Sequence, residues 1–454
     1  MTAVPIRRVF VANRGEIAVR IVRACKEMGI GTVVGVSAAD RDSMAARLAD
    51  RALCVGPNSA AGSYLRGDIL LHACRASDCD ALHPGYGFLS ERAAFARDCE
   101  SAGIRFIGPA PDSIEVMGDK SNARTIAAEA GVPVVPGCDL LSDVAHARRI
   151  GETIGYPLLL KARAGGGGRG MRIVESAREI ESAYQQASTE AKSAFGDGAL
   201  YAERYVRRGR HIEVQVLGDG LGKVLHLFER DCTTQRRHQK LIEEAPSPAL
   251  WPEVRRRMLD AALDLARRVS YRGAGTVEFL FDAETEEFFF LEMNTRIQVE
   301  HPVTEMLTGI DLVQQQILVA ASGRLDLEQE DIARRGHVIE CRINAEDPDK
   351  GFLPSPGRIT TWKPPQGENI RVDTHCRAGD IVVPFYDSLL AKLIVRGDTR
   401  ADAIDRLRRC LDEFEVGGIK TTIPFHQAAV AHPAFGRGTI TTRWIEEFGL
   451  TPAA

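Results

Sequence analysis

Two seven-residue runs constrain the fold more than any other part of the chain. They are Gly275-Thr276-Val277-Glu278-Phe279-Leu280-Phe281 and Phe288-Phe289-Phe290-Leu291-Glu292-Met293-Asn294, joined by the acidic segment Asp282 to Glu287. The pattern predicts an antiparallel hairpin. With a turn centred near residue 285, Glu278 lies roughly opposite Glu292, while Glu292 and Asn294, two apart, share a face. Carboxylates opposed across strands repel, and strands this apolar point to burial. A divalent cation bridging to phosphate oxygens removes the conflict, and magnesium commonly takes a pair of carboxylates together with substrate phosphates. Glu278, Glu292 and Asn294 are therefore candidate metal ligands.

The rest of the composition narrows the class. At 454 residues the chain has the length of about three domains, and its 44% hydrophobic and 26% charged residues are ordinary for a globular protein. No apolar run approaches the roughly 18 residues of a membrane span, so no membrane role is expected. Met1 to Arg8 lack the apolar core of a signal peptide, which makes the cytoplasm the default compartment. A net charge of −4 gives no support to nucleic-acid binding. The ten cysteines include no Cys-x-x-Cys pair and read as thiols rather than a disulfide framework or zinc site. Only ten of the 58 basic residues are lysine, so a lysine inside a glycine-rich or acidic motif carries more information than an arginine there.

An apolar run from Arg8 to Ala12, a helix-period segment from Ile17 to Met28 and a second apolar run from Thr32 to Val36 form a βαβ unit. The pattern continues through Cys79–Leu82 and Ile104–Gly108, so the first 110 or so residues read as a doubly wound α/β domain. Its first turn is Asn13-Arg14-Gly15-Glu16 and lacks the Gly-x-Gly-x-x-Gly that dinucleotide pyrophosphate requires. A single helix is expected from Ile114 to Ala130, carrying Lys120. A smaller α/β stretch follows from Leu140 to Phe195, then a strand-rich region from Leu200 to Phe290 with one helix at Trp251–Val269. A helix at Leu312–Ala321 precedes a last region with strands at Val338–Ile343 and Leu389–Val395.

Three further motifs carry chemistry. Lys161-Ala162-Arg163-Ala164 leads into Gly165, Gly166, Gly167 and Gly168 behind the apolar run Leu158–Leu160. Consecutive glycines expose N–H groups to phosphates, though no Gly-Lys-Ser/Thr closes the loop as in a Walker motif. Asn294-Thr295-Arg296-Ile297-Gln298-Val299-Glu300 crowds a guanidinium, an amide and a carboxylate beside the metal strand, an anion site with a general base. Glu229 to Lys240 is a basic run following a strand at Val224–Phe228, and a phosphate or small-anion role suits it better than RNA binding.

Together with Ala12–Ile17, His83–Ser90, Met117-Gly118-Asp119-Lys120 and Glu340-Cys341-Arg342-Ile343-Asn344-Ala345-Glu346, these motifs resemble, in order and from about residue 6 to 448, the biotin carboxylase family of ATP-grasp enzymes. The resemblance implies a multidomain chain of α/β and α+β parts. These are a Rossmann-like N-terminal domain at 1–114, an ATP-grasp domain at 115–320 with a Gly-rich lid at about 134–205, and a C-terminal biotin carboxylase domain at 321–454. It implies ATP- and bicarbonate-dependent carboxylation of biotin on a carrier protein, the first half-reaction of an acyl-CoA carboxylase, with acetyl-CoA carboxylase of fatty acid synthesis as the expected setting. Two magnesium or manganese ions are expected.

Residue by residue, Lys120 and Lys161 resemble the family's ATP-phosphate lysines and Glu203 its adenine-hinge residue. His211, Gln235 and His238 resemble nucleotide contacts. Glu278, Glu292 and Asn294 resemble the metal ligands. Lys240, Arg296, Gln298 and the Val299 backbone resemble the bicarbonate site, and Glu300 the base. Arg342 resembles the group that stabilises the biotin enolate, and Tyr86 and Gly87 the biotin pocket. The sequence departs from the family at Arg163 and Ala164, where a small residue and a first glycine are usual, which bears on the lid. The competing readings are another ATP-grasp ligase and a non-catalytic nucleotide-binding regulatory subunit. The first is not expected to carry Arg296 to Glu300 together with Arg342; the second is favoured by loss of Glu300, Arg342 or a metal carboxylate, all of which are present. The chain has no Met-Lys-Met biotinylation site and no carboxyltransferase region, so the carrier and carboxyltransferase are expected on separate chains, the alternative being that the sequence is a fragment of a longer polypeptide, and a homodimer is expected by analogy.

Overall fold

A computed structural model describes residues 5–138, 140–163 and 170–449, apart from the Phe195 side chain. The glycines Gly165 to Gly168, and Ala164 before them, lie outside the described residues.

The N-terminal sheet contains β1 (Arg8–Val11), β2 (Gly31–Ser37), β3 (Arg51–Gly56), β4 (Ala81–His83) and β5 (Arg105–Phe106), all parallel, in the order β3-β2-β1-β4-β5. Chain direction across the sheet reverses between β1 and β4, the place where open α/β sheets leave a crevice. The turns after those two strands carry Asn13 and Tyr86. The helix Gly15–Glu27 buries Ile17, Ala18, Val19, Ile21, Val22, Ala24 and Cys25. It is buried nearly all round because it packs against the helix Leu312–Ser322 and the strand Ile370–Thr374 as well as its own sheet.

The segment expected as one helix from Ile114 to Ala130 is two, Pro111–Gly118 and Lys120–Glu129. Asp119 breaks it: its backbone is extended, and its carboxylate accepts the Asn122 N–H at 2.9 Å, capping the second helix. Lys120 is thereby the first residue of a new helix and exposed.

Four strands, β6 (Gly137–Cys138), β7 (Leu158–Ala162), β8 (Met171–Val174) and β9 (Leu200–Arg204), make a separate antiparallel sheet ordered β6-β9-β7-β8. Helices Val144–Ile154 and Ile180–Phe195 accompany it, and their apolar faces meet the sheet around Leu158, Leu160, Ala187 and Leu200.

The largest element is an eight-stranded sheet. It contains β10 (Gly209–Asp219), β11 (Val224–Arg236), β12 (Gln239–Ala245), β13 (Arg272–Asp282), β14 (Glu287–Asn294), β15 (His337–Asn344) and the strands Leu389–Gly397 and Ile370–Thr374. Its order is β14-β13-β10-β11-β12-β15, then Leu389–Gly397, then Ile370–Thr374. The β12–β15 pairing joins residues on either side of position 320 into one ladder. Where the sequence suggests a strand ending at Phe228 and a basic run after it, β11 runs on to Arg236, and Glu229, Arg230 and Asp231 are buried on the sheet. The β11–β12 ladder shifts register between Asp231 and Thr234 and again between Thr234 and Gln235, and it closes in a turn at Arg237 and His238, both at positive φ (47° and 66°). This two-residue turn has the twist a tight hairpin demands, at a conformational cost for residues that are not glycine.

Eight of the ten cysteines are buried, in keeping with thiols. Among the described residues, no helix is long and apolar enough to cross a membrane.

Candidate functional site

The predicted hairpin forms, and Glu278 stands directly opposite Glu292. The route differs from the simple count. Nearest the turn, Asp282 pairs with Glu287 and Phe279 with Phe290; a bulge between Glu278 and Phe279 then leaves Leu291 without an opposite number and advances the register by one. The bulge lets Phe288 and Phe290 stay in the core while Glu292 still faces Glu278.

The row continues across the sheet. Glu213 on β10 lies opposite Glu278, and Arg230 on β11 lies opposite Glu213. Three carboxylates and a guanidinium therefore stand in line on four adjacent strands. Arg230 is fully buried and donates to Glu213 at 2.6 Å, Gln215 and Gln298 at 2.7 Å, Thr304 at 2.9 Å and Thr276 at 3.2 Å. Glu278 accepts from Asn294 and Gln298 at 2.8 Å and from Lys240 at 2.9 Å, and its second oxygen lies 2.9 Å from His211 Nε2. Burial raises its carboxyl, but Lys240 and His211 outweigh burial and hold it well below the usual range. Burial and then the Glu278 charge push Glu292 up. A divalent cation fits this row, because excess negative charge sits where Glu292 faces Glu278. His211, Glu213 and Glu278 also bring donor atoms within 4.8 Å of one another.

Lys240, on β12 beside Gln235 of β11, joins this row to the candidate base. Its Nζ donates to Glu213 at 2.5 Å, to Glu278 at 2.9 Å and to Glu300 at 2.7 Å. Glu300 is buried immediately before the helix His301–Thr308, and its other oxygen accepts from Arg342 at 2.9 Å. Burial raises the Glu300 carboxyl; Lys240, Arg342 and Arg230 overcome it and hold the group well below the usual range. Arg342, on β15, also donates to Glu243 at 2.6 Å.

The loop between Asn294 and Glu300 packs its polar groups on both sides. Arg296 donates to Glu91 at 2.9 Å and to Asn294 at 2.7 Å. Gln298 is spent on Arg230 and Glu278. The Val299 carbonyl accepts from Lys392 at 2.9 Å, and Lys392, fully buried on Leu389–Gly397, lies 3.0 Å from Glu16. Tyr86 donates its hydroxyl to the other oxygen of Glu16.

At the crevice, Asn13 donates to the carbonyls of Pro84 at 2.6 Å and Tyr86 at 2.7 Å. Gly85 between them has φ +63° and leaves no room for a Cβ, which would stand 2.8 Å from the Asn13 amide. Tyr86, Gly87 (φ +67°) and Phe88 line a pocket of about 150 Å³ completed by His375 and Asp387 from far along the chain.

Not every candidate joins this network. Lys161 instead pairs with Glu203 across β7 and β9, and Arg124 holds the other Glu203 oxygen at 3.2 Å. His238 is exposed at the β11–β12 turn. Lys120 touches the acid row only through its charge, which lowers Glu292. Sequence reasoning missed Glu16, Glu213, Arg230, Glu243 and Lys392. One signal was present: His211, Glu213 and Gln215 alternate with Ile212, Val214 and Val216, a polar face on an otherwise buried strand.

Family models match nearly the whole chain. The biotin carboxylase N-terminal domain matches residues 5–114, the carbamoyl-phosphate synthase L chain ATP binding domain 119–328, and the biotin carboxylase C-terminal domain 340–447. The chain belongs to the biotin carboxylase family. It is 48% identical to biotin carboxylase 1 of Bacillus subtilis (strain 168), over 98% of this chain and 99% of the relative. It is 49% identical to the biotin carboxylase of Haemophilus influenzae, over 97% and 98%. Among solved structures it is similar to the biotin carboxylase domain dimer of the Hydrogenobacter thermophilus 2-oxoglutarate carboxylase, which holds MgADP, ADP and bicarbonate. The TM-score there is 0.88 at 48% identity, covering 99% of this chain and 100% of that one. Of the matched segments, the N-terminal one supplies Tyr86 and Gly87, the ATP-binding one the acid row, Lys240 and Glu300, and the C-terminal one Arg342.

Proposed function

We propose that the chain carboxylates biotin carried on a separate carrier protein, using ATP and bicarbonate, as the first half-reaction of a biotin-dependent carboxylase. One observation carries this reading: Glu300 is held at 2.7 Å by Lys240, which also binds the acid row, and at 2.9 Å by Arg342, from the C-terminal segment. A base thus sits between one cation suited to a bicarbonate oxygen and another suited to an enolate.

Glu278, Glu292 and Asn294 would hold magnesium or manganese, which supplies charge neutralisation for phosphoryl transfer. Lys120, Lys161 and the Gly165–Gly168 segment would hold the ATP phosphates, and Glu203, His211, Gln235 and His238 the rest of the nucleotide. Bicarbonate is a poor electrophile, and transfer of the ATP γ-phosphoryl group to its oxygen makes carboxyphosphate and releases ADP. Lys240, Arg296, Gln298 and the Val299 backbone would hold bicarbonate while Glu300 removes its proton. When Lys240 and Arg342 turn to substrate oxygens, Glu300 loses two of the three cations that hold its carboxyl down, and its basicity rises as it is needed. Carboxyphosphate decomposes to carbon dioxide and phosphate, the phosphate takes the biotin N1 proton, Arg342 stabilises the enolate beside Tyr86 and Gly87, and N1 then bonds to the carbon of carbon dioxide to give carboxybiotin.

The carrier protein and the carboxyltransferase are assigned as partners, a homodimer as the assembly and the cytoplasm as the compartment. Acetyl-CoA carboxylase in fatty acid synthesis is the proposed setting. The matched N- and C-terminal biotin carboxylase domains argue against another ATP-grasp ligase or a regulatory subunit. Phosphate release should depend on magnesium and bicarbonate and be stimulated by free biotin. Turnover indifferent to biotin and bicarbonate but accelerated by another amine or carboxylate would overturn the reading.

A further inference from the structure

Behind Arg342 lies a second acidic pair that this chemistry does not use. Glu243 on β12 and Glu340 on β15 are directly opposed in the ladder, and both are fully buried. Glu243 accepts from Arg342 with one oxygen, at 2.6 Å, and its other oxygen is buried without a hydrogen bond among the described residues. Neither oxygen of Glu340 has one. Glu340 and Arg342, two apart on one strand, share a face.

The charges facing Glu340 do not balance if it is ionised. Glu243 faces it from β12, Arg342 from its own strand, Lys392 from Leu389–Gly397 and Glu300 from the loop before His301–Thr308. Lys392 is committed to Glu16 and Val299, and Arg342 already serves two carboxylates. A third buried carboxylate there would have no partner, which an ionised group tolerates only at high cost. One proton on the opposed pair resolves the imbalance. On Glu243 it would weaken the pairing with Arg342; on Glu340 it disturbs no existing bond.

We propose that Glu340 is a neutral carboxylic acid that leaves Arg342 divided between Glu243 and Glu300, and that Glu340 and Glu243 are positioning residues for the biotin step. Burial and then the opposed Glu243 push the Glu340 carboxyl well above the usual range, consistent with that geometry. Ionisation of Glu340 at alkaline pH would set a third negative charge beside Arg342 and draw the guanidinium back from Glu300. The positioning role rests on the proposed biotin chemistry; the protonation state does not.

The test reads both. Infrared difference spectra of the wild-type protein at neutral pH should show the carbonyl stretch of a protonated carboxylic acid that is absent from Glu340→Gln and Glu340→Leu. Neutral replacements suit a neutral, unpartnered acid, so at least one should fold; failure of both to fold contradicts the proposal. If the band persists in a folded variant, Glu340 is not its source and the proposal falls, whatever the activity. Biotin-dependent turnover of the wild type should decline on the alkaline side while bicarbonate-dependent ATP cleavage holds, and Glu340→Gln should move that decline to higher pH. Glu243→Gln should lower biotin-dependent turnover about tenfold to a hundredfold, the loss of a charge-assisted hydrogen bond, with the KM for ATP unchanged. An alkaline limb identical in wild type and Glu340→Gln, or equal loss of both reactions in Glu243→Gln, overturns the positioning role. Absence of all ATP cleavage in the wild type would instead refute the proposed function and leave the infrared result standing.

Discussion

Lys240 donates to Glu300 across 2.7 Å, and it reaches Glu278 of the acid row from the same ammonium. One lysine thus ties the candidate base to the candidate metal ligands. Glu300→Gln keeps the shape of the base and removes its proton affinity. We expect bicarbonate-dependent phosphate release to fall by about 10² to 10⁴, the range for a lost general base, with little change in ATP affinity. Turnover at the wild-type level in a phosphate-release assay would remove Glu300 from the reaction.

Arg342→Ala separates the two half-reactions. The guanidinium reaches Glu300 but no metal candidate, so some bicarbonate-dependent ATP cleavage should survive while carboxybiotin formation is depressed. Phosphate and carboxybiotin measured side by side decide it: parallel loss of both products contradicts the division of roles.

Glu292→Gln relieves the repulsion with Glu278. Folding should survive or improve, whereas transition-state stabilisation should drop by about 2 to 4 kcal/mol, as for a lost preorganised charge contact. Titrating magnesium against turnover checks this, and an unaltered variant at limiting magnesium would exclude Glu292 from the site.

Away from the site, Glu244 clamps the central sheet to the helix Arg400–Glu413. It accepts from Arg400 at 2.7 and 3.1 Å and contacts His337 at 2.7 Å. Burial raises its carboxyl, but Arg400 and His337 outweigh burial and bring it from an ordinary 4.5 down to about 2. A depressed folded pKa stabilises the protein above the unfolded value, and that stability disappears as pH falls from 4.5 toward about 2. The contribution is on the order of 3 kcal/mol. Urea unfolding of wild type and Glu244→Gln should therefore show a stability gap at neutral pH that narrows on acidification; a gap independent of pH would refute the assignment.

Much of this site was legible because its residues lie in short contiguous motifs. Glu278, Glu292 and Asn294 could be placed on one hairpin from period-two alternation alone, although the bulge at Leu291 that brings the carboxylates into register has no signature in the sequence. Arg230, read as part of a basic run, turned out to be an interior cation because its partner Glu213 lies on a different strand. Lys392 was invisible for the same reason: Glu16, which explains its burial, is hundreds of residues away. Charges satisfied only by distant partners look like surface charges until the sheet order is known. The break at Asp119 shows the converse, since a local cap competed with helix periodicity and won.

The β12–β15 ladder also bears on how such a chain could be divided. A chain severed in the connection between Ser322 and His337 would leave each piece with a naked strand edge, β12 on one and β15 on the other. Bare edges invite promiscuous pairing, so each piece made alone should be prone to aggregate. The two edges are also each other's best complement, and pieces made together should knit back along that seam. Fission of the gene at this point would therefore yield two mutually dependent polypeptides.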